Sequence, residues 1–107
     1  NIMKFKHKLE FNTTEELNAQ FVDGNKTISD IIVDVALKNL KTKRKNIPVI
    51  QFTTKDDDLI YDVMIERHDM VETLEQNLDV MEEYEDYERC QKITDALHYL
   101  KINQQNK

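Results

Sequence analysis

One glycine and one proline in 107 residues leave this chain few places to turn sharply. Positive φ is open mainly to glycine, and proline is the strongest helix breaker, so their scarcity favours long helices over a turn-rich sheet fold. Pro48 and the one strong turn signal, Asp23-Gly24-Asn25, mark two boundaries, and most of the remaining chain is free to be helical.

Charge divides the chain in two. Overall 34% of residues are charged and the net charge is −6, but residues 1–55 carry 10 Lys/Arg against 6 Asp/Glu and residues 56–107 carry 5 against 15. A basic β-α-α-β part therefore precedes an acidic helical part, and the two face different partners or each other. Leu, Ile, Val and Phe are frequent enough for one domain spanning residues 1–107 with a modest core. No apolar run approaches the roughly 18 residues of a membrane span, and no charged-then-apolar leader opens the chain. Cys90, the lone cysteine, cannot form an internal disulfide. A cytoplasmic protein without a membrane partner is the expectation.

Along residues 3–11, Met3, Phe5, His7, Leu9 and Phe11 alternate with Lys4, Lys6, Lys8 and Glu10, which predicts a strand with one buried face. Its lysines read either as a solvated, protected edge or as cations offered to phosphates or an acidic partner. Thr13 and Glu16 have capping-box spacing ahead of a short helix, 14–21. Thr27 and Asp30 repeat it before Ile28, Ile31, Ile32, Val35, Leu37 and Leu40, the apolar face of a core helix, 28–45. Lys38, Lys41, Lys43, Arg44 and Lys45 crowd its C-terminal end, where they suit the helix dipole and free carbonyls or form an anion site. After Pro48 the β-branched run 47–53 predicts a second strand. Two strands alone are marginal, so they pack on helices or extend into a second copy, which leaves a homodimer open.

Thr54 and Asp57 show the capping spacing a third time, and from there to residue 83 the pattern reads as one helix. Val71, Leu74, Leu78 and Met81 fall on strict a/d spacing, but the next positions of that register hold Glu85 and Glu88. A new stripe begins at Tyr87 and Cys90 and continues through Ile93, Leu97 and Leu100. A straight helix would expose one stripe, so the chain should reverse near Tyr84 to Asp86, with Asp86 capping the return arm. The alternative is an unbroken helix in a dimer. The expected fold is α+β and mostly helical: strands 3–11 and 47–53, helices 14–21 and 28–45, a hairpin of 57–83 and 86–101, and a frayed tail, 103–107.

Little in the chain supports catalysis. His7, His68 and His98 fall in separate expected elements without metal-ligand spacing, and Asp56-Asp57-Asp58 lacks the rest of a calcium-loop pattern. Cys90 falls on the apolar stripe, and no phosphate loop or nucleophile motif occurs. No enzymatic activity, cofactor or metal is expected.

Two stretches resemble known families. The segment Tyr87, Glu88, Cys90, Ile93, Asp95, Leu97 and Leu100 resembles the UVR motif, a helical hairpin of UvrB and UvrC repair proteins, ClpC-type linkers and protein-arginine kinase activators. Gln91 stands at the family's second alanine and Thr94 at its arginine, so that arginine's contacts do not carry over. The resemblance implies docking of a partner protein, and the acidic turn, with Glu82, Glu83, Glu85, Asp86, Tyr87, Glu88 and Arg89, is the expected docking surface. The order of strand Lys4 to Leu9, a helix from Thr14, the Gly24 turn and the next helix is similar to a ribbon-helix-helix DNA-binding domain. That resemblance implies a dimer contacting nucleic acid through Lys4, Lys6 and Lys8, with Lys43 and Arg44 nearby. The excess of carboxylates admits a third reading, an acidic inhibitor that mimics nucleic acid.

Overall fold

The computed structural model describes residues 4–22 and 25–105, so Met3 and the Asp23-Gly24 part of the expected turn lie outside the described residues. The fold is α+β, and helices take up more than half of the described residues, as the dearth of Gly and Pro requires. Strand β1 (His7–Phe11) is followed by helices α1 (Thr14–Val22) and α2 (Lys26–Lys38) and strand β2 (Asn46–Thr54). Strand β3 (Ile60–Glu66), a 3-10 turn (Arg67–Asp69), and helices α3 (Met70–Glu83) and α4 (Tyr87–Gln105) complete it.

The sheet has the order β1-β2-β3, with β1 parallel and β3 antiparallel to β2. Helices α1 and α2 pack against β2 and α3 against β3, while α4 lies on α3 and α2. A shortest dimension of 17 Å fits one helical layer on one sheet. On β2 the register shifts between Pro48 and Ile50, a bulge that leaves Val49 without a partner on β3. Ile47, Val49, Ile50, Phe52 and Thr54 are consequently all buried. Pro48 is tolerated because the β1 ladder begins only at Ile50 and the β3 ladder breaks beside it. Among the described residues no layer covers the other face of the sheet, where Lys8, Gln51 and Asp62 form one row and Gln51 Nε2 donates to Asp62 Oδ1 at 2.9 Å.

The largest departure from the sequence pattern is β3. The helix expected over 57–83 begins only at Met70, and Ile60–Glu66 pairs with β2 instead. Tyr61, Val63 and Ile65 supply the β-branched and aromatic alternation that a neighbouring strand rewards, which outweighs a helical spacing carried by Ile60 and Met64 alone. Asp56-Asp57-Asp58 therefore lies in a strand connection, Asp58 with φ 49°. Its negative charge still serves a helix N-terminus, but that of α1: Thr14 N donates to Asp56 Oδ2 at 3.1 Å and Thr14 Oγ1 to Asp57 Oδ2 at 2.8 Å. The Thr14 amide holds the Asp56 carboxyl below the usual carboxylate range.

Other boundaries shift for local reasons. Thr13 caps α1 as expected, accepting from Glu16 N at 3.1 Å, although Glu16 reaches Asn12 N, one residue further out. For α2 the cap is Asn25, whose Oδ1 accepts from Ile28 N, and Thr27 is exposed inside the first turn. Helix α2 stops at Lys38 rather than 45, with Asn39 as its C-cap, whose N–H bonds Val35 O and Ala36 O, and Arg67 holds the turn that follows: Nη1 donates to Asn39 O at 2.7 Å, Nε to Arg44 O at 2.9 Å and Nη2 to Thr42 Oγ1 at 2.9 Å. Strand β1 is also shorter than 3–11, and on this edge strand His7 and Leu9 remain exposed although Phe5 is buried. Helix α4 continues through the expected tail to Gln105. Replacing Arg67 by Ala removes four hydrogen bonds at once and should lower the unfolding free energy by about 2–3 kcal/mol in urea denaturation. A loss within experimental error would show that water caps this end equally well.

Candidate functional site

Helices α3 and α4 form the expected hairpin. Met70, Leu74 and Met81 of α3 face Ile93 and Ala96 of α4 as buried residues, with Leu78, Cys90, Leu97 and Leu100 packed around them. Two capping structures make the reversal rigid. At the end of α3, Asp86 N donates to Met81 O at 2.9 Å and Glu85 N to Glu82 O at 3.1 Å, a Schellman pair. Glu85 occupies the left-handed position with φ 58°, where glycine is usual. At the start of α4, Asp86 Oδ1 accepts from Arg89 N at 3.1 Å, which makes Asp86 the N-cap.

A charge cluster fastens this turn to α2. Lys26 Nζ lies 2.6 Å from Asp30 Oδ1 and 2.9 Å from Asp86 Oδ2. Arg89 grips Asp34 with two parallel bonds, Nε to Oδ1 at 3.0 Å and Nη2 to Oδ2 at 2.8 Å, and also reaches Asp86 Oδ2 at 2.9 Å. Lys26, then Arg89, holds the Asp86 carboxyl well below the usual carboxylate range. Asp30 and then Asp86 raise Lys26, and Asp34 and then Asp86 raise Arg89. Of the seven residues expected to meet a partner, Asp86 and Arg89 are thus engaged in this cluster, and Glu88 pairs with Lys92 at 3.1 Å on the surface of α4.

Glu82, Glu83, Glu85, Tyr87 and Glu88 are exposed together at the tip, and Tyr84 joins them. Tyr87 was expected in the packing stripe but is 68% exposed, and Tyr84 is 54% exposed. At the first helical position, Tyr87 falls outside the seam, which begins one turn later at Cys90. Burial, then the charges of Glu82 and Asp86, push the Cys90 thiol up, so it packs as a small apolar group and is a poor nucleophile at neutral pH.

The five cations of the alternative nucleic-acid set do not form one surface. Lys8 lies on the open sheet face beside Gln51, whereas Lys4, Lys6 and Arg44 line a small cavity with His7 and Lys38 at the end of α2. Lys43 is exposed and does not line that cavity. Elsewhere, Glu66, His68 and Asp69 bring one ligand atom each within 4.8 Å of one another, a spacing that suits a divalent cation. His68 Nε2 already lies 3.2 Å from Glu66 Oε2 and 3.5 Å from Asp69 Oδ1, and mutual pairing accounts for the group. Sequence reasoning missed Lys26, Asp30 and Asp34. Their signal was present as charges four apart along one side of an otherwise apolar helix.

No family model, curated protein or solved structure matches the chain. Among the described residues no helix is long and apolar enough to cross a membrane.

Relieving the strained backbone by Glu85→Gly should stabilise the protein by roughly 1 kcal/mol, read as a higher denaturation midpoint. Asp86→Asn keeps a capping oxygen but removes the charge and should cost about 1 kcal/mol, and Asp86→Ala about 2–3 kcal/mol. The sign of the pH effect follows from the lowered carboxyl. Its contribution is complete above the unfolded value of about 3.9 and is lost as pH falls through the folded one, so Asp86→Asn should flatten the decline in stability below about pH 4. Parallel acid titrations of the two proteins would contradict this.

Proposed function

We propose that this protein is a small, non-enzymatic adaptor or regulator that docks a partner protein on the acidic tip of the α3–α4 hairpin. The observation that carries the reading is the exposure of Tyr84 and Tyr87 among Glu82, Glu83, Glu85 and Glu88, on a turn capped at both helix ends and fastened to α2. Aromatic rings offer large contact area at low entropic cost, and a preorganised turn reduces the ordering that binding demands. Tyrosines set among carboxylates favour a basic segment, whose Arg or Lys side chains would meet both charge and ring faces. The UVR-like reading, in which such a hairpin docks a protein, leads the same way. A reducing, cytoplasmic setting is consistent with the single, unpaired Cys90.

The competing reading, a dimeric DNA-binding regulator using Lys4, Lys6 and Lys8, has less behind it, because Lys8 is separated from the other two. The acidic-mimic reading draws only on the excess of carboxylates in residues 56–107.

The test is affinity capture from native cells with the unmodified chain and with Tyr84→Ser/Tyr87→Ser. Exposed residues of this kind change stability by under about 0.5 kcal/mol, so the variant should stay folded while losing at least one partner that the unmodified chain retains in moderate salt. An identical set of captured proteins would overturn the proposal.

A further inference from the structure

The segment before β1, the C-terminal end of α2 and the start of β2 border a small, partly open cavity of about 90 Å³. Five of its lining residues are basic or imidazole side chains: Lys4, Lys6, His7, Lys38 and Arg44. Among the described residues no carboxylate lines it, although the chain has 21 Asp and Glu. An adjoining groove shares His7 and Lys38 and contains Asp34 and Glu88, but Asp34 is bound by Arg89 and Glu88 lies 3.1 Å from Lys92 Nζ. Among the described residues, no hydrogen bond or ion pair engages the side chains of Lys4, Lys6, His7, Lys38 or Arg44.

Capping is the ordinary reason for cations at a helix C-terminus, and here that role is filled. Arg67, from beyond β3, donates to the carbonyls of Asn39, Leu40 and Arg44. The cavity cations are surplus to it. Four permanent positive charges around one small space repel one another, and a multiply charged anion removes that repulsion.

We infer that this cavity binds a single phosphate group, either free phosphate or the phosphate of a small monoester. The space admits a tetrahedral oxyanion and not a nucleoside, so recognition is of the phosphate itself. Arg44 carries a planar fork of donors, and Lys4, Lys6 and Lys38 carry point charges, on three separate segments that line the space. Valine and proline side chains, Val35, Val49 and Pro48, complete the wall and lower the local dielectric.

Calorimetric titration with inorganic phosphate, at an ionic strength held constant with chloride, tests the inference. Saturable binding is expected, weakened at least tenfold in Lys38→Gln/Arg44→Gln. The control Lys43→Gln/Lys45→Gln loses the same charge outside the cavity and should stay within twofold. Circular dichroism melts establish that each variant is folded, and Lys6→Gln, ahead of β1, provides a second cavity variant. Tighter binding of phenyl phosphate than of phosphate would assign the site to a monoester, and the reverse order to the free ion. No phosphate-specific heat, or equal losses in cavity and control variants, would overturn the inference. So would single-stranded DNA binding that Lys8→Gln and Lys43→Gln weaken as much as the cavity variants do, since that marks a distributed backbone surface.

Discussion

Everything in this fold is arranged around the burial of β2. It is the central strand, and helices cover one of its faces. The bulge at Val49 shifts the alternation so that five side chains, from Ile47 to Thr54, are withdrawn from water instead of the four a regular strand would bury. At about 25 cal/mol for each Å² of apolar area buried, such a strand is a dominant stabilising term in a domain of this size. A three-stranded sheet covered on one face cannot stand without it.

The polar interactions then decide how the parts are set. Arg67 holds the loop that leads from α2 into β2, adding to the bonds that Thr42 makes with Asn39 inside that turn. Asp56 and Asp57 tie the β2–β3 connection to the first turn of α1. Lys26 and Arg89 link α2 to the hairpin tip through three aspartates. Isolated surface pairs contribute little, but these groups are partly shielded, share partners and include a bidentate arginine, conditions under which ion pairs matter. The consequence for function is a tip whose glutamates and tyrosines are held in place while the capping charges are consumed internally.

Much of this could be read from local pattern. The shift from the Val71–Met81 stripe to the Cys90–Leu100 stripe announced the reversal, and Asp86 capped the return arm as its position suggested. Thr13 began α1 as expected. Tyr87 and the stretch 57–69 were misread for a common reason. Spacing ranks positions by hydrophobicity but does not say which neighbour arrives to cover them. Tyr87 found none, whereas β3 found β2.

The sequence by itself determined the helical bias, the α+β class, the split in charge and the hairpin, because glycine content, capping residues and apolar period act within a few residues of one another. Only the tertiary structure decided that Ile60–Glu66 is a strand, that Asp56 and Asp57 serve the start of α1, a helix distant in the chain, and that Arg67 bonds the carbonyls that follow α2. Those outcomes depend on partners brought together by sheet pairing. A strand gains its hydrogen bonds, and a charge its counterion, only once the distant element is in place.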